Sequence, residues 1–257
     1  MTDYFNLVIL GIIQGLTEFL PVSSSGHLVL AKQFLDIKYP GALIEVTLHL
    51  GTLTSIIIFY FNDIARLTKG VFLFDQKSIN FMLRIILGIL PAGFIGLFFK
   101  DFFVSYFNDF FATSLFLVFT GFILFLSKFM EQKFKPLGYK SVLAIGLIQA
   151  LAIFPGISRS GMTISVALFL GIDRKEAFRL SFFLAIPIIM GASILEIKNI
   201  VALDKADLVP LSIGFIISFI TGYISIRLLY NILMRNKFWL FSFYCFFVGI
   251  IGIISAR

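Results

Sequence analysis

Gln14 and Glu18 stand four residues apart in an otherwise apolar stretch, a spacing that puts both side chains on one helix face with their polar ends aimed at the same volume. A carboxylate is expensive to bury inside an apolar segment, so the pair reads as part of a functional site rather than as interhelical hydrogen bonding alone. Ser23, Ser24 and Ser25 follow Pro21, where a broken helix would restart and a hydroxyl would cap it. Capping needs only one serine. His27 lies three residues after Ser24, within reach of the same first turn, and serine beside histidine is the minimum for an activated nucleophile. Arg159, in Ser158-Arg159-Ser160-Gly161 with Thr163 on the following turn, adds a fixed positive charge at a second restart. Guanidinium, hydroxyls and the free N–H groups of a helix N-terminus together make a phosphate site. A structural Arg159–Glu18 bridge is the competing reading, and even that pair is poised, because an anionic ligand can take over the arginine. His49 is the remaining ionisable group well inside an apolar segment. A neutral imidazole tucked near Thr47 or Thr52 accounts for it, and it is left outside the site.

The elements that must position these residues belong to a membrane protein. Of the 257 residues, 59% are hydrophobic, 34 are Phe and only 14% are charged, with a mean hydropathy of +1.02; a soluble domain carries about 25% charged residues. The net charge of +7 does not point to nucleic acid, since most Lys and Arg occupy short gaps between apolar runs, as the positive-inside rule expects. The one cysteine, Cys245, permits no internal disulfide and no cysteine-based metal site. Six runs are long enough to span a bilayer: 44–61, 80–99, 112–129, 176–195, 208–230 and 238–256. Residues 5–35 and 142–171 are instead two short apolar pieces around a polar break, and such breaks survive at membrane depth only when buried in protein or lining a wet cavity. Both read as re-entrant helix–break–helix segments.

The two breaks are copies of one another. Displacing the chain by 135 residues gives eight identities over the seventeen positions 11–27, among them Gln14 with Gln149, Ser23 with Ser158, Ser25 with Ser160 and Gly26 with Gly161. The expected architecture is therefore an all-α polytopic membrane protein, one domain over 1–257, with repeat one at about 1–110 and repeat two at about 140–257. With both breaks re-entrant, gaps 62–79, 130–141, 172–175 and 231–237 fall on one side and hold ten Lys or Arg, against five in 1–4, 36–43, 100–111, 196–207 and Arg257. The first set is expected in the cytoplasm, and the two halves then have inverted topology, with a binding site between them near the midplane.

The stretches Gln14-Gly-Leu-Thr-Glu18-Phe-Leu-Pro-Val-Ser-Ser-Ser-Gly-His27 and Pro155-Gly-Ile-Ser-Arg-Ser-Gly-Met-Thr163 resemble the two signature motifs of the bacterial undecaprenyl-diphosphate phosphatases, also called bacitracin-resistance proteins. The likeness covers the whole chain. It implies hydrolysis of undecaprenyl diphosphate to undecaprenyl phosphate and inorganic phosphate at the outer face of the cytoplasmic membrane, which recycles the lipid carrier for peptidoglycan synthesis and confers bacitracin resistance. It also implies a divalent cation, Mg2+ or Ca2+, with Glu18 as the expected metal ligand. The family's serine and histidine fall on Ser24 and His27, and its arginine on Arg159, so that Glu18, Ser24, His27 and Arg159 are the expected catalytic residues. Gln14, Ser23, Ser25, Ser158, Ser160 and Thr163 are expected to hold the diphosphate. Where other members carry Glu at the first position of the motif, this chain has Gln14, so Glu18 must carry the negative charge. The chemistry expected is attack on the terminal phosphorus by Ser24 assisted by His27, with His27 as direct nucleophile left open.

Two other classes bear comparison. The type 2 phosphatidic acid phosphatases also use Ser-Gly-His and Ser-Arg elements but need a second histidine after the Ser-Arg element, and no histidine follows Arg159 here. A transporter or flippase of a phosphorylated polyprenyl lipid suits an inverted repeat, yet it has no need of Ser24 and His27 side by side. Monomer and homodimer are equally compatible with the sequence.

Overall fold

The computed structural model describes residues 4–35, 41–107, 109–130, 133–197 and 208–256, and among these the regular structure is helical, with no strand. The helices are α1 (Tyr4–Phe19), α2 (Ser24–Leu35), α3 (Gly41–Phe59), α4 (Phe61–Phe72), α5 (Gln76–Phe98), α6 (Lys100–Tyr106), α7 (Phe110–Leu126), α8 (Tyr139–Gln149), α9 (Arg159–Phe169), α10 (Arg174–Ile197), α11 (Leu208–Met234) and α12 (Phe241–Ser255). Among the described residues, five helical spans are long and apolar enough to cross a membrane: Gln76–Phe98, Phe110–Phe129, Arg174–Leu195, Leu208–Met234 and Phe238–Ser255. The chain is a multi-pass membrane protein, and these five coincide with five of the six expected runs. Of the gaps on the expected external side, residues 1–3, 36–40, Asn108, 198–207 and Arg257 lie outside the described residues.

The sixth run, 44–61, is met by α3, which ends at Phe59, and α4 leaves it at 74° where the expected gap begins. The cause lies in the residues that follow Tyr60. Arg66 and Lys69 are exposed while Leu67 on the same short helix is buried, so α4 has an apolar side to bury and a charged side to keep wet.

The repeat is visible in local hydrogen bonds. The Ser23 hydroxyl accepts from the Gly26 N–H at 3.3 Å to cap α2, and the matching Ser158 hydroxyl accepts from the Gly161 N–H at 3.1 Å to cap α9. Ser23 and Ser25 hydroxyls lie 3.3 Å apart, and so do those of Ser158 and Ser160. At 16 and 11 residues, α1 and α8 are both shorter than the roughly 20 residues a span requires. Each crosses to the other half, α1 packing along α11 and α8 along α5. The aligned Gly11 and Gly146 permit this approach: a Cβ on Gly11 would sit 3.0 Å from the Gly214 carbonyl oxygen, and one on Gly146 would run into that of Gly88. Phe19, Tyr60, Phe178, Phe182 and Phe183 fill the core beside the breaks.

Candidate functional site

The two breaks meet at Glu18. Its carboxylate closes α1 with 6% of the side chain exposed, and one oxygen accepts from Arg159 Nη2 at 2.9 Å, across 141 positions of sequence. The other oxygen accepts from the Ser24 hydroxyl at 2.6 Å and from Gln14 Nε2 at 3.0 Å. The i, i+4 spacing of Gln14 and Glu18 thus does what helix geometry dictates. Arg159, 13% exposed, starts α9 and directs Nη1 to the Ser181 carbonyl at 3.5 Å. Thr163, one turn on, places its hydroxyl 2.7 Å from that of Ser181.

The hydroxyls around this pair stitch the breaks together. Ser23 Oγ accepts from the Gly156 N–H at 3.0 Å, and Ser160 Oγ donates to the Leu20 carbonyl at 3.3 Å. Thr120 on α7 fixes the second break from the side, donating to the Gly156 carbonyl at 2.8 Å and accepting from the Ser158 N–H at 3.2 Å. Ser23 has φ 68, a left-handed conformation that costs a non-glycine residue about 1–2 kcal/mol. It is held there because its hydroxyl serves two N–H groups and its carbonyl accepts from both the His27 N–H at 3.1 Å and His27 Nδ1 at 2.8 Å. Ser25 is half-buried beside it. The strained residue directly precedes Ser24, so it sets where that hydroxyl points.

Two expectations are revised. His27 does not meet Ser24: its Nδ1 is bonded to the Ser23 carbonyl and its Nε2 lies 2.8 Å from the Tyr244 hydroxyl, which leaves Glu18 as the acceptor for the Ser24 proton. His49 is not tucked against Thr47 or Thr52. Its Nδ1 is bonded to the Glu45 carbonyl at 2.7 Å, and its Nε2 faces Glu18 at 3.7 Å. The signal was present, since a histidine inside a span is a site candidate by default. Ser181 and Thr120 were missed without a comparable signal, because a serine or threonine in an apolar helix looks like any packing residue. The Arg159–Glu18 bridge, the competing reading of the arginine, is present.

For a divalent cation, the donors are few but of the right kind. Among the described residues no three His, Cys, Asp or Glu side chains cluster as a metal cage. Gln14 Oε1 is buried beside the Glu18 carboxylate without a hydrogen-bond partner among the described residues. One carboxylate and one amide oxygen suit Mg2+ or Ca2+ that shares its coordination with a phosphate ligand.

Fold and site together define a helical multi-pass membrane protein with a buried carboxylate, guanidinium and hydroxyl cluster at the junction of two broken helices, an arrangement suited to an anionic headgroup. The family model described as "Bacitracin resistance protein BacA" matches residues 7–251, and the chain belongs to that family. It is 40% identical over 259 residues to an "Undecaprenyl-diphosphatase" of Halothermothrix orenii, covering 99% of this chain and 98% of the relative. Proteins of the same name from Methanosphaera stadtmanae (39% identity, 100% and 99% covered) and Methanococcus vannielii (37%, 95% and 96%) are similarly close.

Proposed function

We propose that this protein is an undecaprenyl-diphosphatase, releasing inorganic phosphate from undecaprenyl diphosphate and returning undecaprenyl phosphate. The observation that carries the reading is the Ser24 hydroxyl, set 2.6 Å from a carboxylate whose other oxygen holds Arg159. The proposed setting is the bacterial cytoplasmic membrane with the site open to the external face, where the reaction recycles the lipid carrier for peptidoglycan synthesis and opposes bacitracin.

The diphosphate displaces the Glu18 carboxylate as the partner of Arg159, whose planar fork matches phosphate oxygens. Ser24 Oγ then attacks the terminal phosphorus in line with the bridging oxygen. Its proton passes to Glu18 as the Ser24 O–P bond forms, and the bond from phosphorus to the bridging oxygen breaks, so that undecaprenyl phosphate leaves with that oxygen. Glu18 gives that proton up with the departing lipid phosphate. Water next attacks the phosphoserine, giving a proton to the again-ionised Glu18, and as the Ser24 O–P bond breaks Glu18 returns this proton to Ser24 Oγ and inorganic phosphate departs. Arg159, the Ser158 and Ser160 hydroxyls and the α9 N-terminus stabilise the charge that develops on the transferred group. A divalent cation held by Glu18 and Gln14 Oε1 would offset the negative charge of the diphosphate.

Rapid quench of protein mixed with undecaprenyl diphosphate labelled in its terminal phosphate, followed by peptide mapping, tests this chemistry. An acid-stable adduct on Ser24 is expected. An acid-labile adduct on His27, or turnover in which label never becomes covalent, would contradict it.

A further inference from the structure

The only polar side chains in the stretch Phe243–Phe247 of α12 are Tyr244 and Cys245, and both reach the first break. Cys245 Sγ donates to the Pro21 carbonyl at 3.6 Å, and the Tyr244 hydroxyl lies 2.8 Å from His27 Nε2. The Tyr244 and His27 rings stack, 9° from parallel with centroids 5.5 Å apart. Hydrogen-bond roles follow from the partners. The Ser23 carbonyl can only accept, so His27 Nδ1 carries the proton, Nε2 bears the lone pair, and the Tyr244 hydroxyl donates to it. The contacts form one chain: Tyr244 fixes the ring and tautomer of His27, His27 secures the carbonyl of left-handed Ser23, and Ser23 sets the next residue, Ser24, against Glu18.

From this chain of contacts we infer that Tyr244 is a positioning residue for the reaction, acting through His27 to hold Ser24 in register with its proton acceptor. The inference rests on the diphosphatase reading. Its stacking half is retained and its hydrogen bond removed in Tyr244→Phe, so packing and positioning separate. The expected result for Tyr244→Phe in detergent is a fall in kcat of about tenfold, the effect of losing one hydrogen bond of about 1.4 kcal/mol, with KM for undecaprenyl diphosphate unchanged.

The decisive comparison is a double-mutant cycle. In a His27→Ala background Tyr244→Phe is expected to cost nothing further, because the path through the imidazole is already cut. Imidazole 15N spectra of the protein, which holds only His27 and His49, supply a readout independent of turnover, with the Nε2 resonance of His27 shifting in Tyr244→Phe while that of His49 stays in place. Wild-type turnover with Tyr244→Phe equal to it, or full additivity with His27→Ala, overturns the inference and leaves the diphosphatase reading standing. Wild-type protein that releases no phosphate removes that reading and the inference with it.

Discussion

Glu18→Gln is expected to reduce kcat by roughly 10²–10⁴-fold, the range for loss of a positioned general base, while the protein still binds undecaprenyl diphosphate. The amide keeps the shape of the carboxylate but cannot take the proton that Ser24 now donates to it at 2.6 Å. It also leaves Arg159, 13% exposed, without its anion. Breaking a buried pair by removing one partner costs about 3–5 kcal/mol of stability, so the variant is expected to unfold at lower temperature when empty and to recover much of the loss when diphosphate occupies the arginine. Turnover and ligand-dependent melting, measured on one preparation, check both halves. A Glu18→Gln protein with wild-type kcat would remove the carboxylate from the chemistry.

Arg159→Ala is expected to lower kcat/KM by roughly 10²–10³-fold, the cost of removing one preorganised donor to developing charge. The stability loss should be the smaller of the two, since the Glu18 carboxylate keeps Ser24 and Gln14 as donors and His49 at 3.7 Å. Arg159→Lys should not restore the rate. One ammonium cannot reach both the Glu18 oxygen at 2.9 Å and the Ser181 carbonyl at 3.5 Å that the guanidinium fork spans. Steady-state kinetics of both variants settle the matter, and a lysine enzyme as fast as wild type would reduce the role of Arg159 to that of a point charge.

Most of the fold was legible because a bilayer leaves few options. Hydropathy marked six runs, five of them met by helices that span on their own, and the repeated Gln, Ser and Gly of 11–26 and 146–161 announced the pair of broken helices, since these residue types have structural work that apolar composition does not explain. The end of the sixth run at 61 was legible from Asn62 and Asp63, but the helix α4 that fills the gap and its 74° angle to α3 were not, because they follow from burying Leu67 while Arg66 and Lys69 stay exposed. Within the site, residues joined by helical spacing were readable, as with Gln14 and Glu18. Contacts set by tertiary packing were not. The proximity of Ser24 and His27 along the chain suggested a pair, but left-handed Ser23 turns the imidazole toward its own carbonyl and toward Tyr244, leaving Ser24 to Glu18. His49 and Ser181 reach the site from α3 and α10, helices whose placement no local pattern encodes.

The most direct test of the central claim is phosphate release from undecaprenyl diphosphate by purified protein in detergent, with and without a chelator, beside Ser24→Ala. Release by the wild type that the chelator suppresses and a divalent cation restores is expected, with none above background from Ser24→Ala. Folded protein that binds the lipid yet releases no phosphate under any metal condition, or a Ser24→Ala variant with undiminished release, would contradict it.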